Sequence, residues 1–300
     1  MTYPLVSIIT PTYNRANYLP ETISSILEQD YPRIEYIIID DGSTDHTPDL
    51  LKSYKGHLRW FRQENAGEQF AVNKGFDLST GEIICTINSD DTLLPNAVST
   101  VVKYLMDNPQ ALVVYPDWLM TDQHSNILKS IRLEEYDYTY MVRKHHCFIG
   151  PGAFFRREAL KITGGRDTQF RYTADFDFWL TLGLYGHFIH IPKPLATFRI
   201  HPQSISTSYR NDAIAKEHIQ LMEKYFSRND IPPHILDIKE EAISYAYLIA
   251  AQACGNFHAR AQFYYRNFLK RYPYHKGIVL GDIIAGLVGA LLGNRLNRIK

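Results

Sequence analysis

Ile83-Ile84-Cys85-Thr86-Ile87-Asn88-Ser89-Asp90-Asp91 passes from an apolar stretch straight into adjacent carboxylates. Five of its first six residues are apolar or β-branched, the composition of a strand buried on both faces in a parallel sheet. Such a strand delivers Asp90 and Asp91 to its carboxyl end. In open α/β sheets, ligands bind in the crevice beyond those ends, and hard carboxylate oxygens there suit Mg²⁺ or Mn²⁺ bridging substrate phosphates. The same Ser-Asp-Asp also reads as a turn that caps a helix starting near Pro95.

Working outward, residues 5–10 form another continuous apolar run, broken by Pro11-Thr12-Tyr13-Asn14-Arg15 before an amphipathic helix over 18–28. Residues 34–39 repeat the plan and end at Asp40-Asp41-Gly42-Ser43-Thr44-Asp45, with a helix from Pro48 onward. A shorter strand near 58–61 leads through Asn65-Ala66-Gly67 to a helix over 69–78, and a helix over 95–106 follows the 83–87 strand. Parallel strands need crossover helices, so this alternation predicts an α/β fold: a doubly wound, mostly parallel sheet with flanking helices. The polar residues after each strand then share one rim.

Beyond 111–115 the pattern changes. Residues 117–130 read as a hairpin about Asp122-Gln123-His124-Ser125-Asn126, and 152–156 as a short strand. Between them, Tyr136, Tyr138, Tyr140, His145 and His146 follow no period and read as a pocket-shaping loop. A helix over 173–185 and strands over 188–191 and 195–200 complete a domain of 1–208. In 209–300, a helical region, segments over 242–253 and 259–270 form a helix-turn-helix pair, and 278–292 is apolar apart from Asp282. That last run is too short to span a bilayer. It is expected either to lie on a membrane surface, with Arg295, Arg298 and Lys300 meeting anionic headgroups, or to pack on the helical pair.

The 32 basic and 32 acidic residues cancel, so no whole-chain field is available to hold DNA or RNA, and no nucleic-acid partner is expected. Cys85, Cys147 and Cys254 are too few and too dispersed for a disulfide framework or a zinc site; all three are expected as buried, reduced thiols. The first residues lack a signal-like basic and apolar region, so a cytoplasmic chain is expected, with peripheral contact to the inner membrane face through 278–300 as the open alternative.

Several segments in order carry a family likeness: Val6-Ser7-Ile8-Ile9-Thr10-Pro11-Thr12-Tyr13-Asn14, the 40–45 run, Asn73-Lys74-Gly75, Asn88-Ser89-Asp90-Asp91, Gly164-Gly165-Arg166-Asp167, Thr173-Ala174-Asp175-Phe176-Asp177-Phe178-Trp179 and Phe198-Arg199-Ile200-His201-Pro202. Over residues 1–205 the chain resembles the family 2 glycosyltransferases. The resemblance implies a GT-A fold and an inverting transfer of a sugar from a nucleoside-diphosphate donor to an acceptor hydroxyl. It places Thr10, Pro11 and Tyr13 against base and ribose, Asp41 on the uracil ring N–H, and Asp90 at the ribose or a bound water. Asp91 is implied as the direct ligand of Mn²⁺ or Mg²⁺, with His201 near the metal or the diphosphate. A carboxylate can only accept, so Asp41 suits uracil, or thymine as second choice; an Asx turn is its alternative role.

Asn88 stands where the family often has a further acid, which leaves a third carboxylate contact open. Asp175 is implied as the base on the acceptor hydroxyl, although Ala174 replaces the usual preceding acid. Asp177 cannot share its direction two residues further on and is read as serving the helix terminus. The acceptor expected is a glycan, free, lipid-linked or protein-linked. A sugar-nucleotide-forming nucleotidyltransferase would carry a glycine-rich loop after the first strand, and Pro11-Thr12-Tyr13-Asn14-Arg15-Ala16 has no glycine. A non-catalytic sugar-binding scaffold would need neither Asp91 nor Asp175.

Overall fold

The computed structural model describes residues 3–204, 212–254 and 258–271. The expected apolar segment over 278–292 and the expected boundary at 208 lie outside the described residues. Strands β1 (Val6–Thr12), β2 (Ile34–Asp40), β3 (Arg59–Arg62) and β4 (Ile83–Thr86) are parallel in the order β3-β2-β1-β4. Helices α1 (Leu19–Leu27), α2 (Thr47–Ser53) and α3 (Glu68–Leu78) make the crossovers, as parallel pairing requires. The alternation of apolar runs and amphipathic segments is realised almost residue for residue.

After α4 (Ala97–Asp107) the winding changes. A single long strand, β5 (Ala111–Thr121), takes in both the expected 111–115 strand and the first arm of the hairpin, which returns as β6 (Ile127–Ile131). Strand β7 (Phe154–Arg156) slots antiparallel between β4 and β5. Strand β8 (His187–Arg199) runs parallel to β5. Residues 188–191 and 195–200 are therefore one strand, not two. Pro192 and Pro194 have no N–H for a ladder, and β8 absorbs them where its pairing with β5 shifts register around Asp117.

One face of the sheet packs Val6, Ile8, Ile38 and Cys85 against Leu19, Ile23 and Ile26 of α1 and Val98, Val101 and Leu105 of α4, each buried aliphatic contributing roughly 1.5–3 kcal/mol. Helix α3 lies on β1 so closely that a Cβ at Gly75 would stand 2.3 Å from Ile9 Cγ2. Cys85 and Cys254 are buried, whereas Cys147 is only half-buried, contrary to expectation; none is in a disulfide.

Two compact units can be distinguished. The first comprises Met1–Tyr136, Phe148–Ala174 and Thr181–His201, including α6 (Glu158–Thr163) but not α5 (Tyr138–Lys144). The second gathers Asp137–Cys147, Asp175–Leu180 within α7 (Ala174–Gly183), and the described residues from Pro202 onward. The expected helical pair is present there as Lys239–Ala253 and His258–Arg271, joined through Tyr245, Leu248, Ala251, Tyr264 and Phe268. Helix Asp212–Phe226 lies in the expected helical region, though its segment was not singled out; α5 was not expected, and it covers seven residues, too few for a 3.6-residue period to show. No helix among the described residues is long and apolar enough to cross a membrane.

Candidate functional site

Beyond β4 the chain stays buried through Ile87 and then turns, the Asp91 amide donating to the Asn88 carbonyl at 3.1 Å. This turn does not cap α4. That helix starts at Ala97 behind Asn96, which has a left-handed φ of 62° and makes no side-chain cap bond. The residues after the turn are instead strapped to their neighbours. Thr22 Oγ1 on α1 donates to the Asp91 carbonyl at 2.7 Å. The Leu94 amide donates to the Leu195 carbonyl, and the Thr197 amide to the Thr92 carbonyl, both at 2.8 Å.

The two acids face different surroundings. Asp91 is 2% exposed, and its Oδ1 accepts the Arg199 amide at 2.8 Å. Burial, reinforced by the Asp90 charge beside it, raises the Asp91 carboxyl well above the usual carboxylate range, against the opposing pull of Arg199 and Asn88. Asp90 is more open, and its Oδ2 lies 2.9 Å from His201 Nε2 and 3.3 Å from Arg15 Nε. It is thus Asp90, rather than Asp91, whose carboxylate meets His201.

Just past the end of β2, Asp41 is 3% exposed and organises the loop that leads into α3. Its Oδ1 accepts from Gln63 Nε2 at 2.7 Å and from the Ala66 amide at 3.0 Å, and its Oδ2 from the Gly67 amide at 2.9 Å. Three of about four acceptor positions on the carboxylate are filled this way. Thr10 is wholly buried within β1, where its Oγ1 accepts the Tyr36 hydroxyl at 3.2 Å, and Pro11 is buried beside it. Tyr13 is 43% exposed at the rim. The β1 and β2 loops are zipped by Asn14, in a left-handed conformation with φ 52°: its Oδ1 accepts the Thr44 amide at 2.8 Å and its own amide donates to Ser43 Oγ at 2.9 Å.

Asp175 lies in the second unit, exposed in the first turn of α7, its Oδ1 accepting the Phe176 amide at 2.7 Å. Asp177 is buried in the same unit, its oxygens accepting from Lys224 Nζ at 2.8 and 2.7 Å. Sequence reading had singled out Asp41, Asp90, Asp91 and His201, and the fold brings all four into its first unit. It had not assigned roles to Arg15, Tyr18, Glu21 or Arg199, because an arginine or tyrosine in a loop or first helical turn carries no pattern until its partner is known.

Among the described residues no set of three or more His, Cys, Asp or Glu side chains is gathered as a metal centre. The donor pair nevertheless fits one edge of such a site. Adjacent ligands on an octahedral cation, each at about 2.1 Å, stand about 3.0 Å apart, and Asp90 Oδ2 and His201 Nε2 stand at 2.9 Å. A carboxylate oxygen with an imidazole nitrogen suits Mn²⁺, and Mg²⁺ less well.

Residues 7–163 match the family model described as Glycosyl transferase family 2. An uncharacterized glycosyltransferase of Rickettsia typhi is 34% identical over 184 residues, covering 59% of this chain and 58% of the relative, so the chain spans little more than half of that protein's length. Among solved structures, S. aureus TarS 1-349 in complex with UDP-GlcNAc superposes with a TM-score of 0.66 at 16% identity, covering 89% of each chain. The mannosyltransferase PcManGT from Pyrobaculum calidifontis, in complex with GDP-Man and Mn²⁺, gives 0.59 at 23% identity, covering 100% of this chain and 89% of that one. These likenesses identify the doubly wound sheet as the GT-A fold. With the family model matching more than half its length, the chain belongs to glycosyl transferase family 2.

Proposed function

We propose that the chain moves a sugar from a UDP-sugar to an acceptor hydroxyl with inversion at the anomeric carbon. The observation that carries this is the pairing of Asp90 Oδ2 with His201 Nε2 at 2.9 Å, beyond the carboxyl end of the central strand where an α/β sheet receives its ligand. Asp90 and His201 hold Mn²⁺ or Mg²⁺, while Asp91 anchors the turn to the Arg199 amide. The bound cation supplies positive charge that offsets the departing diphosphate. Asp41 retains one acceptor position for a single ring N–H, which uracil presents; guanine presents two donors side by side. Asp175 is the base: as the acceptor oxygen bonds to the anomeric carbon and the bond to the diphosphate breaks, the hydroxyl proton passes to its carboxylate. TarS holds UDP-GlcNAc on the same fold, which supports a uridine donor. The acceptor is a glycan, free or linked to lipid or protein.

Calorimetric titration with UDP tests the reading. Binding that strengthens with Mn²⁺ and weakens in EDTA is expected, together with metal-dependent hydrolysis of UDP-sugars. Equal affinity in EDTA overturns the cation's role, and preference for GDP overturns that of Asp41.

A further inference from the structure

Arg199 reaches past the acidic turn to parts of the fold that the donor reading leaves unused. Its side chain is 2% exposed, and its bonds go four ways. The amide donates to Asp91 Oδ1 and Nε to the Asp90 carbonyl, both at 2.8 Å. Nη1 donates to Ser125 Oγ at 2.7 Å, and Nη2 to Glu21 Oε2 at 2.6 Å. Ser125 Oγ in turn donates to the Glu21 carboxylate at 2.8 Å, which closes a triangle between α1, the β5–β6 turn and β8. One helical turn before Glu21, the Tyr18 ring receives the Arg199 guanidinium 5.2 Å from its centroid and packs on the His201 ring at 4.5 Å and 32°.

A guanidinium this buried is costly unless paired, and Glu21 supplies the pairing charge. The direction of the Asp90 carboxylate follows from its backbone, which Arg199 Nε pins; the plane of the His201 ring follows from the aromatic face against it. We infer that Tyr18, Glu21 and Arg199 are positioning residues that set the affinity of the Asp90–His201 pair for its divalent cation. This rests on the cation reading above. Partners behind metal ligands typically alter metal affinity 10–100-fold when removed, whereas an ion pair that only braces the fold changes melting temperature and leaves cation binding alone.

The test uses the full chain. Bound Mn²⁺ is read from loss of the free-ion electron paramagnetic resonance signal at saturating UDP, with UDP affinity measured separately in EDTA. Glu21→Gln and Arg199→Lys are expected to weaken Mn²⁺ roughly tenfold or more, with UDP affinity in EDTA held within about twofold of the wild type on the same scale. Asp49→Asn, which breaks an exposed pair with Lys52, is expected to leave Mn²⁺ affinity unchanged. If Arg199→Lys does not fold, Glu21→Gln decides, since that carboxylate is half exposed. Folded variants with wild-type Mn²⁺ affinity overturn the inference. A wild-type chain that binds UDP but no Mn²⁺ overturns the inference and the cation reading together; one that binds no UDP overturns the proposed donor.

Discussion

Lys224 Nζ lies 2.8 and 2.7 Å from the two carboxylate oxygens of Asp177, while Asp175, two residues earlier, is exposed and bonds only locally to the Phe176 amide among the bonds described. The first carboxylate is occupied and the second is available, which is the division that the proposed inverting transfer requires. Asp175→Asn keeps the shape of the side chain but cannot take a proton. We expect it to bind UDP as the wild type does and to lose turnover by ~10²-fold or more, measured as metal-dependent transfer or hydrolysis. Asp177→Asn leaves Lys224 without its charge and is expected to lower stability by roughly 1–3 kcal/mol in urea unfolding, with the smaller effect on turnover. Reversed phenotypes would exchange the two roles.

At the level of elements, strands β1 to β4 were legible in the sequence because each is a short apolar run that stops at polar residues, and α1 between the first two has a clear amphipathic period. The acidic turn was legible only in part. Its residues point to the ligand site proposed above, yet which acid meets His201 depends on which side chain β8 engages, a contact between residues 108 positions apart. Proline misled the reading of β8, since Pro192 and Pro194 look like a break and are tolerated where the ladder shifts register. Helix α5 escaped because seven residues show no period, although Asp137 caps it by accepting the Tyr140 amide at 2.9 Å.

That helix ends on His145, in a left-handed conformation with φ 50°, whose Nε2 lies 2.9 Å from Nδ1 of His218 on helix Asp212–Phe226. Burial lowers both imidazoles, His218 to about 4 and His145 well below its ordinary value, where the neighbouring His218 adds to the effect. Folded values beneath the unfolded value of 6.5 mean that the pair's contribution is intact above that pH. As pH falls, the unfolded chain takes up protons first, and stability is lost on the way down to about 4. Urea unfolding at pH 7.5 and pH 5 should show a loss of roughly 2 kcal/mol for each of the two imidazoles in the wild type. His218→Asn should flatten the dependence, and an equal slope in the variant would rule the pair out as its origin.

Across the whole molecule, the second unit is assembled from pieces far apart in the chain: Asp137–Cys147, Asp175–Leu180 and the described residues from Pro202 onward. None of this interleaving is visible in a sequence read segment by segment, where α7 looks like one more helix of the first domain. It bears on the order in which the protein acquires its shape during synthesis. Tyr138, whose hydroxyl meets that of Tyr225 at 2.6 Å, precedes its partner by 87 residues. At the usual pace of about 5–20 residues per second, roughly 4–17 s separate their emergence from the ribosome. Through that interval Met141 and Val142, both wholly buried in the finished protein, wait without the helices that arrive later, so this stretch is where a nascent chain would recruit a chaperone. Chains stalled with residue 211 as the last one emerged should be cut by protease within 137–147, and release of the remaining helices should abolish the cut.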